Sequence, residues 1–474
     1  MRAGRCPFLI SSLIMNKLAL LPLIWVCSFG VVASETLSGG KTTVKKSGAN
    51  AFSQPANNLP LSKRLDFSVG NSFFKNPWVP APSSTDARDG LGPLFNTNGC
   101  QNCHIKDGRG HAPQHENDLA VSMLLRMSIP AVTSQQKAIY EKLGVVPEPT
   151  YGDQLQDFAL PNVKPEGQIA ITYTPVNVQF SDGETVTLRQ PHVEVKDLGY
   201  GELHPDTMFS PRIAPAMVGL GLLESVDAQD ILAWEDPDDL DNNGISGRAN
   251  WVWDKSGDNI ALGRFGWKAG QPSLMQQNAA AFNGDIGLTS SLFPESNCQA
   301  SQTVCQRMPN GGEPEVSDNV LKFVEFYSQH LAVPSRRVSD KVQVKIGGEL
   351  FKTLGCEGCH RKKMQSGVRE GLPALSNQTF YPYTDLLLHD MGEGLADNRP
   401  EAMANGREWR TAPLWGIGYT KEVSGVENYL HDGRARSLME AILWHGGEAQ
   451  SARDAVLTLD KSERDALIAF LKSL

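Results

Sequence analysis

The chain has 474 residues, with 44 lysines and arginines against 53 aspartates and glutamates and a formal net charge of −9. That length exceeds one ordinary domain, and the acidic balance argues against nucleic acid or anionic lipid as a partner. The eight cysteines carry the most information, because their spacing is far from random.

From the N-terminus, residues 1–34 hold Arg2, Arg5 and Lys17 and no acidic residue, followed by the apolar run Leu18–Val26. The segment ends in Val31-Val-Ala33-Ser34 before Glu35. A positive n-region, an apolar h-region and a small-residue cleavage site describe a secretory signal peptide. Met15-Asn-Lys17 offers an alternative start with a tidier n-region. Cys27 follows Ile-Trp-Val, where a lipoprotein signal needs a small residue, so lipid anchoring is the weaker reading. The expectation is a periplasmic protein, exported and cleaved, with no membrane-spanning segment in the mature chain. Residues 35–60 are polar and read as a flexible leader.

Gly92-Pro-Leu-Phe-Asn-Thr-Asn-Gly99 then runs into Cys100-Gln-Asn-Cys103-His104, and Gly348-Glu-Leu-Phe-Lys-Thr-Leu-Gly355 runs into Cys356-Glu-Gly-Cys359-His360. Both copies read G-x-L-F-x-x-x-G-C-x-x-C-H without a gap. C-x-x-C-H is the attachment pattern of c-type haem: two thiols add to the porphyrin vinyl groups and the histidine becomes an axial iron ligand. A structural zinc site would gather its ligands from shorter intervals, and a redox disulfide needs no trailing histidine. Two covalent c-type haems are therefore expected, on Cys100, Cys103 and His104 and on Cys356, Cys359 and His360.

Between the motifs, Leu119–Met127 is apolar at helical spacing and suits a helix packed on the first porphyrin. Ile169-Ala-Ile-Thr-Tyr-Thr174 and Val176-Asn-Val-Gln-Phe180 alternate in β-branched and aromatic residues. With the turn Ser181-Asp-Gly-Glu184 and Thr185-Val-Thr-Leu188 they predict a β-hairpin. Asp239-Leu-Asp241-Asn-Asn243-Gly244 begins like a calcium loop, but its twelfth position is Asn250 in place of a bidentate glutamate. A Ca2+ site of another type and a solvated acidic turn both remain open there. Cys298 and Cys305 are the spare thiols of the mature chain, and in an oxidising compartment they predict a structural disulfide.

Pro334-Ser-Arg-Arg337 marks the best boundary, leaving residues 61–335 as the first haem unit with insertions and 336–474 as the second. At the C-terminus, Asp460-Lys-Ser-Glu463 is a capping signal ahead of the apolar stripe Leu467, Phe470, Leu471 and Leu474. A second echo supports duplication: Arg212-Ile-Ala-Pro-Ala-Met-Val-Gly219 parallels Arg410-Thr-Ala-Pro-Leu-Trp-Gly416.

Several segments resemble the bacterial di-haem oxidoreductase family, which carries the label thiol oxidoreductase and is related to di-haem cytochrome c peroxidases. They are Asp107-Gly-Arg-Gly110, Gly219-Leu-Gly-Leu-Leu-Glu224, Gly244-Ile-Ser-Gly-Arg248, Gly263-Arg-Phe-Gly-Trp-Lys268, Asp385-Leu-Leu-Leu-His-Asp-Met-Gly392, and Tyr429-Leu-His-Asp-Gly-Arg434 through Trp444-His-Gly-Gly447. They cover nearly the whole mature chain. The thiol label has no support in the cysteine count. The resemblance implies a mainly α protein of two cytochrome c-like haem domains, the first enlarged by the β-hairpin insertion. It also implies a peroxidase-like reaction in which electrons enter at the C-terminal haem, pass to the N-terminal haem and reduce a small oxidant such as hydrogen peroxide. A small redox protein would be the donor or acceptor. The other reading is a periplasmic electron-transfer cytochrome without substrate chemistry of its own.

The sixth ligand separates these readings, since an open position binds substrate and a filled one carries electrons. For the second haem, His445 stands where the resembling peroxidase segment ends in a methionine ligand, with Met391 and Met439 as rivals. A histidine merely hydrogen-bonded at a helix end is the plain alternative for His445, and His389 and His431 read as structural. For the first haem no ligand is equally well placed. His111, His115, Met123, Met127 and Met217 are available, and an open position is expected. His111, His115 and Glu116 are the candidates for the acid and base that move a peroxide proton. Trp251, Trp253 and Trp267 suit either an electron path or ordinary packing.

Overall fold

Two helices far apart in sequence, Lys341–Thr353 and Lys461–Ser473, pack on each other beside the second Cys-x-x-Cys-His motif. The last helix starts as its sequence requires. Asp460 accepts from the Glu463 amide while Glu463 reaches back to the Asp460 amide, closing a capping box. Its stripe Leu467, Phe470, Leu471 and Leu474 is buried, with Phe470 5.2 Å from Phe351 between ring centroids. The structure is a computed structural model that describes residues 35–474 except 86, 115–117, 120 and 338. The signal segment, Cys27, His115 and Glu116 lie outside the described residues.

A second helical group surrounds the first motif. Arg64–Lys75 packs on Asp318–His330, and Leu274–Ile286 packs on the same partner. Phe67 and Phe74 lie against the Tyr327 ring, at 4.8 and 5.2 Å. The four-residue helix Cys100–Cys103 sits on Arg64–Lys75.

The hairpin is present and longer than its turn signal suggested. Gln168–Gln179 pairs antiparallel with Thr185–Lys196 in the register Ile169↔Val195 to Gln179↔Thr185. Val178 and Leu188 are buried on one face. Its tip is fastened to the C-terminal segment: Arg464 pairs with Asp182 and Glu184, and Arg189 donates to the Gly433 and Arg434 carbonyls.

Two expectations are corrected. The segment around Leu119–Met127 is not helical: Met123–Ser128 is a strand, antiparallel to Met208–Ile213. Met123, Leu125 and Met127 are all buried, a period of two that a window of mixed Leu and Met concealed. The mainly α fold is also overturned, since helices make up only 30 % and strands 18 %, in small sheets. The six sheets among the described residues are all two-stranded. Two cytochrome c-like helical domains are not established. From Cys359 to Ser437 the chain forms only short strands, 3-10 turns and the five-residue helix Thr420–Ser424. The stretch is rich in breakers, with nine glycines and four prolines. It is held by side-chain acceptors such as Thr384, Asp385 and Asn405 instead of a regular ladder.

The internal echo has a structural counterpart. Strands Met208–Ile213 and Glu408–Arg410 each lead through an Ala-Pro pair to a left-handed glycine, Gly219 and Gly416, both at φ +72°. Each glycine caps a short helical segment, Leu220–Glu224 or Ile417–Tyr419. Among the described residues no helix is long and apolar enough to cross a membrane.

Candidate functional site

The approach to the first motif is pinned to one helix end. The Gly92 amide donates to the Ile286 carbonyl, and the Asn96 and Thr97 amides donate to the Asp285 carbonyl. After His104 the chain reverses through Lys106 and Asp107, at φ +50° and +65°. The reversal is held by Asp107, whose carboxylate accepts from the Tyr327 hydroxyl at 2.6 Å and from the Ser53 hydroxyl at 2.5 Å. Burial raises its pKa to about 6 despite those donors.

His104 directs Nδ1 at the Pro215 carbonyl oxygen, 2.8 Å away, which leaves Nε2 free for another partner. Burial lowers its pKa to about 4, so the ring is neutral. A neutral imidazole oriented by a backbone carbonyl is the form a metal ligand takes. Cys100 and Cys103 are unpaired, and burial pushes the Cys100 thiol up to about 12 and Cys103 higher still. A thiol held protonated in this way is a poor redox nucleophile.

Cys100, Cys103 and His104 stand in the wall of a cavity of about 1190 Å³. Pockets for single small ligands run to roughly 300–1,000 Å³, so the space suits a large group with a smaller one beside it. Six arginines line it: 109, 126, 212, 264, 399 and 410. Arg126 pairs with Asp153, and Arg212 and Arg399 with Glu401. Arg264 donates to the Leu223 and Val226 carbonyls, and Arg410 to those of Gly266 and Thr411.

The second motif repeats the histidine geometry. His360 sets Nδ1 3.0 Å from the Tyr383 carbonyl oxygen, and burial lowers its pKa to about 4. Phe351 lies 6.1 Å from its ring, as Phe74 lies 6.0 Å from His104. His445 follows the short helix Leu438–Leu443 and bonds Nδ1 to the Ala441 carbonyl oxygen at 2.7 Å. Burial lowers the His445 pKa, and it is close enough to His360 to disfavour that ring's charge. Two buried imidazoles, neither with an Nε2 partner among the described residues, are thus brought into one neighbourhood.

His389 is a different kind of group. Nε2 lies 2.9 Å from Asp385 and Nδ1 2.6 Å from Glu448, so both ring nitrogens face carboxylates. Despite burial, the two carboxylates hold its pKa well above the usual value. Cys359 lies beside it, Sγ 3.5 Å from Nδ1, the longer of the two contacts at that nitrogen.

Other sequence candidates scatter. His111 bonds to the Ala112 carbonyl and does not line the cavity. Met217 lines it; Met123 and Met127 do not. Trp251, Trp253 and Trp267 all line it. Met391 and Met439 pack beside the core around the second motif. His431 is stacked on Trp409 at 3.7 Å. Oxygens of Asp236, Asp239 and Asp241 gather within 4.8 Å in a largely exposed loop. The Asp239 and Asn243 side chains there accept from the Gly244 and Ile245 amides. Cys298 and Cys305 are joined in a disulfide, Cα to Cα 5.8 Å. Sequence reasoning missed Asp385 and Glu448 as partners of His389. It also missed Arg109, although Arg109 lies in one of the segments that carried the family resemblance.

The donor set fits haem at both motifs: cysteines with two residues between them and no disulfide, followed by a buried histidine oriented by a backbone carbonyl. The sequence model of one family, described as "Di-haem oxidoreductase, putative peroxidase", matches residues 32–474. No curated protein matches. Among solved structures, a chain of Kuenenia stuttgartiensis hydrazine synthase, pressurized with 20 bar xenon, is similar at 19 % identity with a TM-score of 0.22. That alignment covers 33 % of this chain and 56 % of the other, and so weak a superposition carries no argument.

Proposed function

Because the chain belongs to the di-haem oxidoreductase family, we propose that it is an exported, peroxidase-like enzyme with two covalent c-type haems. The haems would be held by Cys100, Cys103 and His104 and by Cys356, Cys359 and His360. When bound, they would supply one-electron redox chemistry; electrons would enter at the C-terminal site, and a small oxidant such as hydrogen peroxide would be reduced at the N-terminal site.

The observation that carries this reading is the asymmetry between the motifs. His104 faces a cavity of about 1190 Å³, whereas His360 has His445 as a neighbour with Nε2 free. His445 would help hold the C-terminal haem together with His360, and Leu438–Leu443 positions it. At the N-terminal site the chain provides shape and electrostatics: aromatic walls from Trp251, Trp253 and Trp267, and the guanidinium groups described above. Such groups stabilise negative charge as it develops in a water-poor space. A small redox protein on the exported side of the membrane is the proposed donor.

Steady-state turnover with a reduced small cytochrome and hydrogen peroxide tests the reading. Turnover by the half-reduced protein is expected. Its absence in both oxidation states, with two low-spin haems in the spectrum, would leave an electron carrier.

A further inference from the structure

Arg109 differs from every other arginine in the cavity wall. Its side chain is nine-tenths buried, with 9 % exposure. Among the described residues its guanidinium has no carboxylate or carbonyl partner, whereas Arg126, Arg212, Arg264, Arg399 and Arg410 all have one. It lies between two rings, 5.6 Å from the Trp267 centroid and 5.9 Å from that of Tyr429. Neither polar ring atom is bonded to it. Trp267 donates Nε1–H to the Ile213 carbonyl, and the Tyr429 hydroxyl is engaged with Glu427.

A guanidinium presents five N–H donors in a planar fork that matches a carboxylate. Contact with two ring faces does not replace the hydration lost by burying such a cation. The backbone fixes the group in place. The next residue, Gly110, donates its amide to the Ala214 carbonyl. A Cβ on Gly110 would stand 2.7 Å from the Ser122 carbonyl oxygen and 3.0 Å from that of Cys103. The loop is therefore clamped to the haem motif, and Arg109 is clamped to the cavity wall a few residues beyond His104.

We propose that Arg109 is a carboxylate anchor of the first site, its fork receiving an anionic group that enters the cavity with the ligand. Two sources share this chemistry: a propionate of the haem, or the carboxylate of a small substrate. The inference rests on the function proposed above only in so far as the first source requires haem in the cavity.

The test compares wild type with Arg109→Gln and with Arg109→Lys, which keeps the charge and loses the fork. Haem content, the midpoint potential of the first haem, and acetate binding followed by tryptophan fluorescence are measured on each purified full-length protein. If the partner is a propionate, Arg109→Gln keeps both haems but lowers the potential of the first, and Arg109→Lys restores part of it. If the partner is a substrate carboxylate, the potential stays and acetate binds about ten-fold more weakly to Arg109→Gln, as loss of a charge-assisted hydrogen bond implies. A potential and an acetate affinity both equal to wild type overturn the proposal. The haem count keeps the two failures apart. Wild type without haem sinks the function above, and an acetate affinity unchanged by Arg109→Gln then sinks the anchor as well.

Discussion

The imidazole of His104 holds its Nδ1 2.8 Å from the Pro215 carbonyl oxygen, so the ring orientation of the first motif is set by a residue more than a hundred positions away. His360 uses the Tyr383 carbonyl in the same way at 3.0 Å. Pro215 belongs to the Ala-Pro turn that follows strand Met208–Ile213, and Tyr383 to an irregular stretch with a positive φ of +54°. The same local chemistry is therefore supported by two different scaffolds.

His445→Ala is expected to convert one haem from low to high spin, because it removes the free Nε2 near His360. Electron paramagnetic resonance of the oxidised protein reads this directly. An unchanged spectrum in that variant, with Met391→Ala altering it instead, would show that the methionine is the ligand.

Asp385→Asn should destabilise the protein by about 1.5–3 kcal/mol, the scale for losing a hydrogen bond to a charged group while Glu448 still faces the ring, and the loss should depend on pH. The folded-state pKa of His389 is raised, so its contribution is complete below the unfolded value of ~6.5. It fades as pH rises through the raised folded value. Urea melts of wild type and variant across that window should show a gap that is widest at the acid end and narrows towards alkaline pH. A gap that widens with pH would contradict the assignment of His389 as an imidazolium.

How much of this was legible beforehand depends on the range of the interaction. The two Cys-x-x-Cys-His motifs, the hairpin turn at Ser181–Glu184 and the Asp460 capping box are local signals, and the described residues show a Gly183 turn and a closed box at those places. The strand Met123–Ser128 reads as a helix in the sequence because its inward residues, Met123, Leu125 and Met127, sit in a run that also satisfies helical spacing. The long irregular stretch after Cys359 carries no clear period, and the resemblance to a mainly α family says nothing of it. The cavity is invisible to sequence, since its wall draws on residues from Phe52 to Thr420. The exceptional state of Arg109 is a property of what does not surround it, which no spacing encodes.

Gly110→Ala should cost about 1–3 kcal/mol, the usual penalty for overpacking, because the added methyl meets two backbone oxygens that cannot swing away. Thermal unfolding of the purified variant checks this. A melting temperature equal to wild type would mean that the loop yields and that Arg109 is less firmly placed than argued.

Replacing Cys298 and Cys305 together with serine should remove about 2–3 kcal/mol, the loop-closure term for so short a ring. Cys305 packs with Leu94 on the approach to the first motif, but neither cysteine is an attachment residue, so haem content should not change. Chemical unfolding monitored alongside the visible spectrum separates the two effects.

The most direct measurement is a pyridine haemochrome assay on the purified full-length protein after acid–acetone extraction. Two haems per chain, retained on the polypeptide through Cys100, Cys103, Cys356 and Cys359, is the result predicted. One haem per chain, haem that extracts freely, or zinc in place of iron would contradict the account.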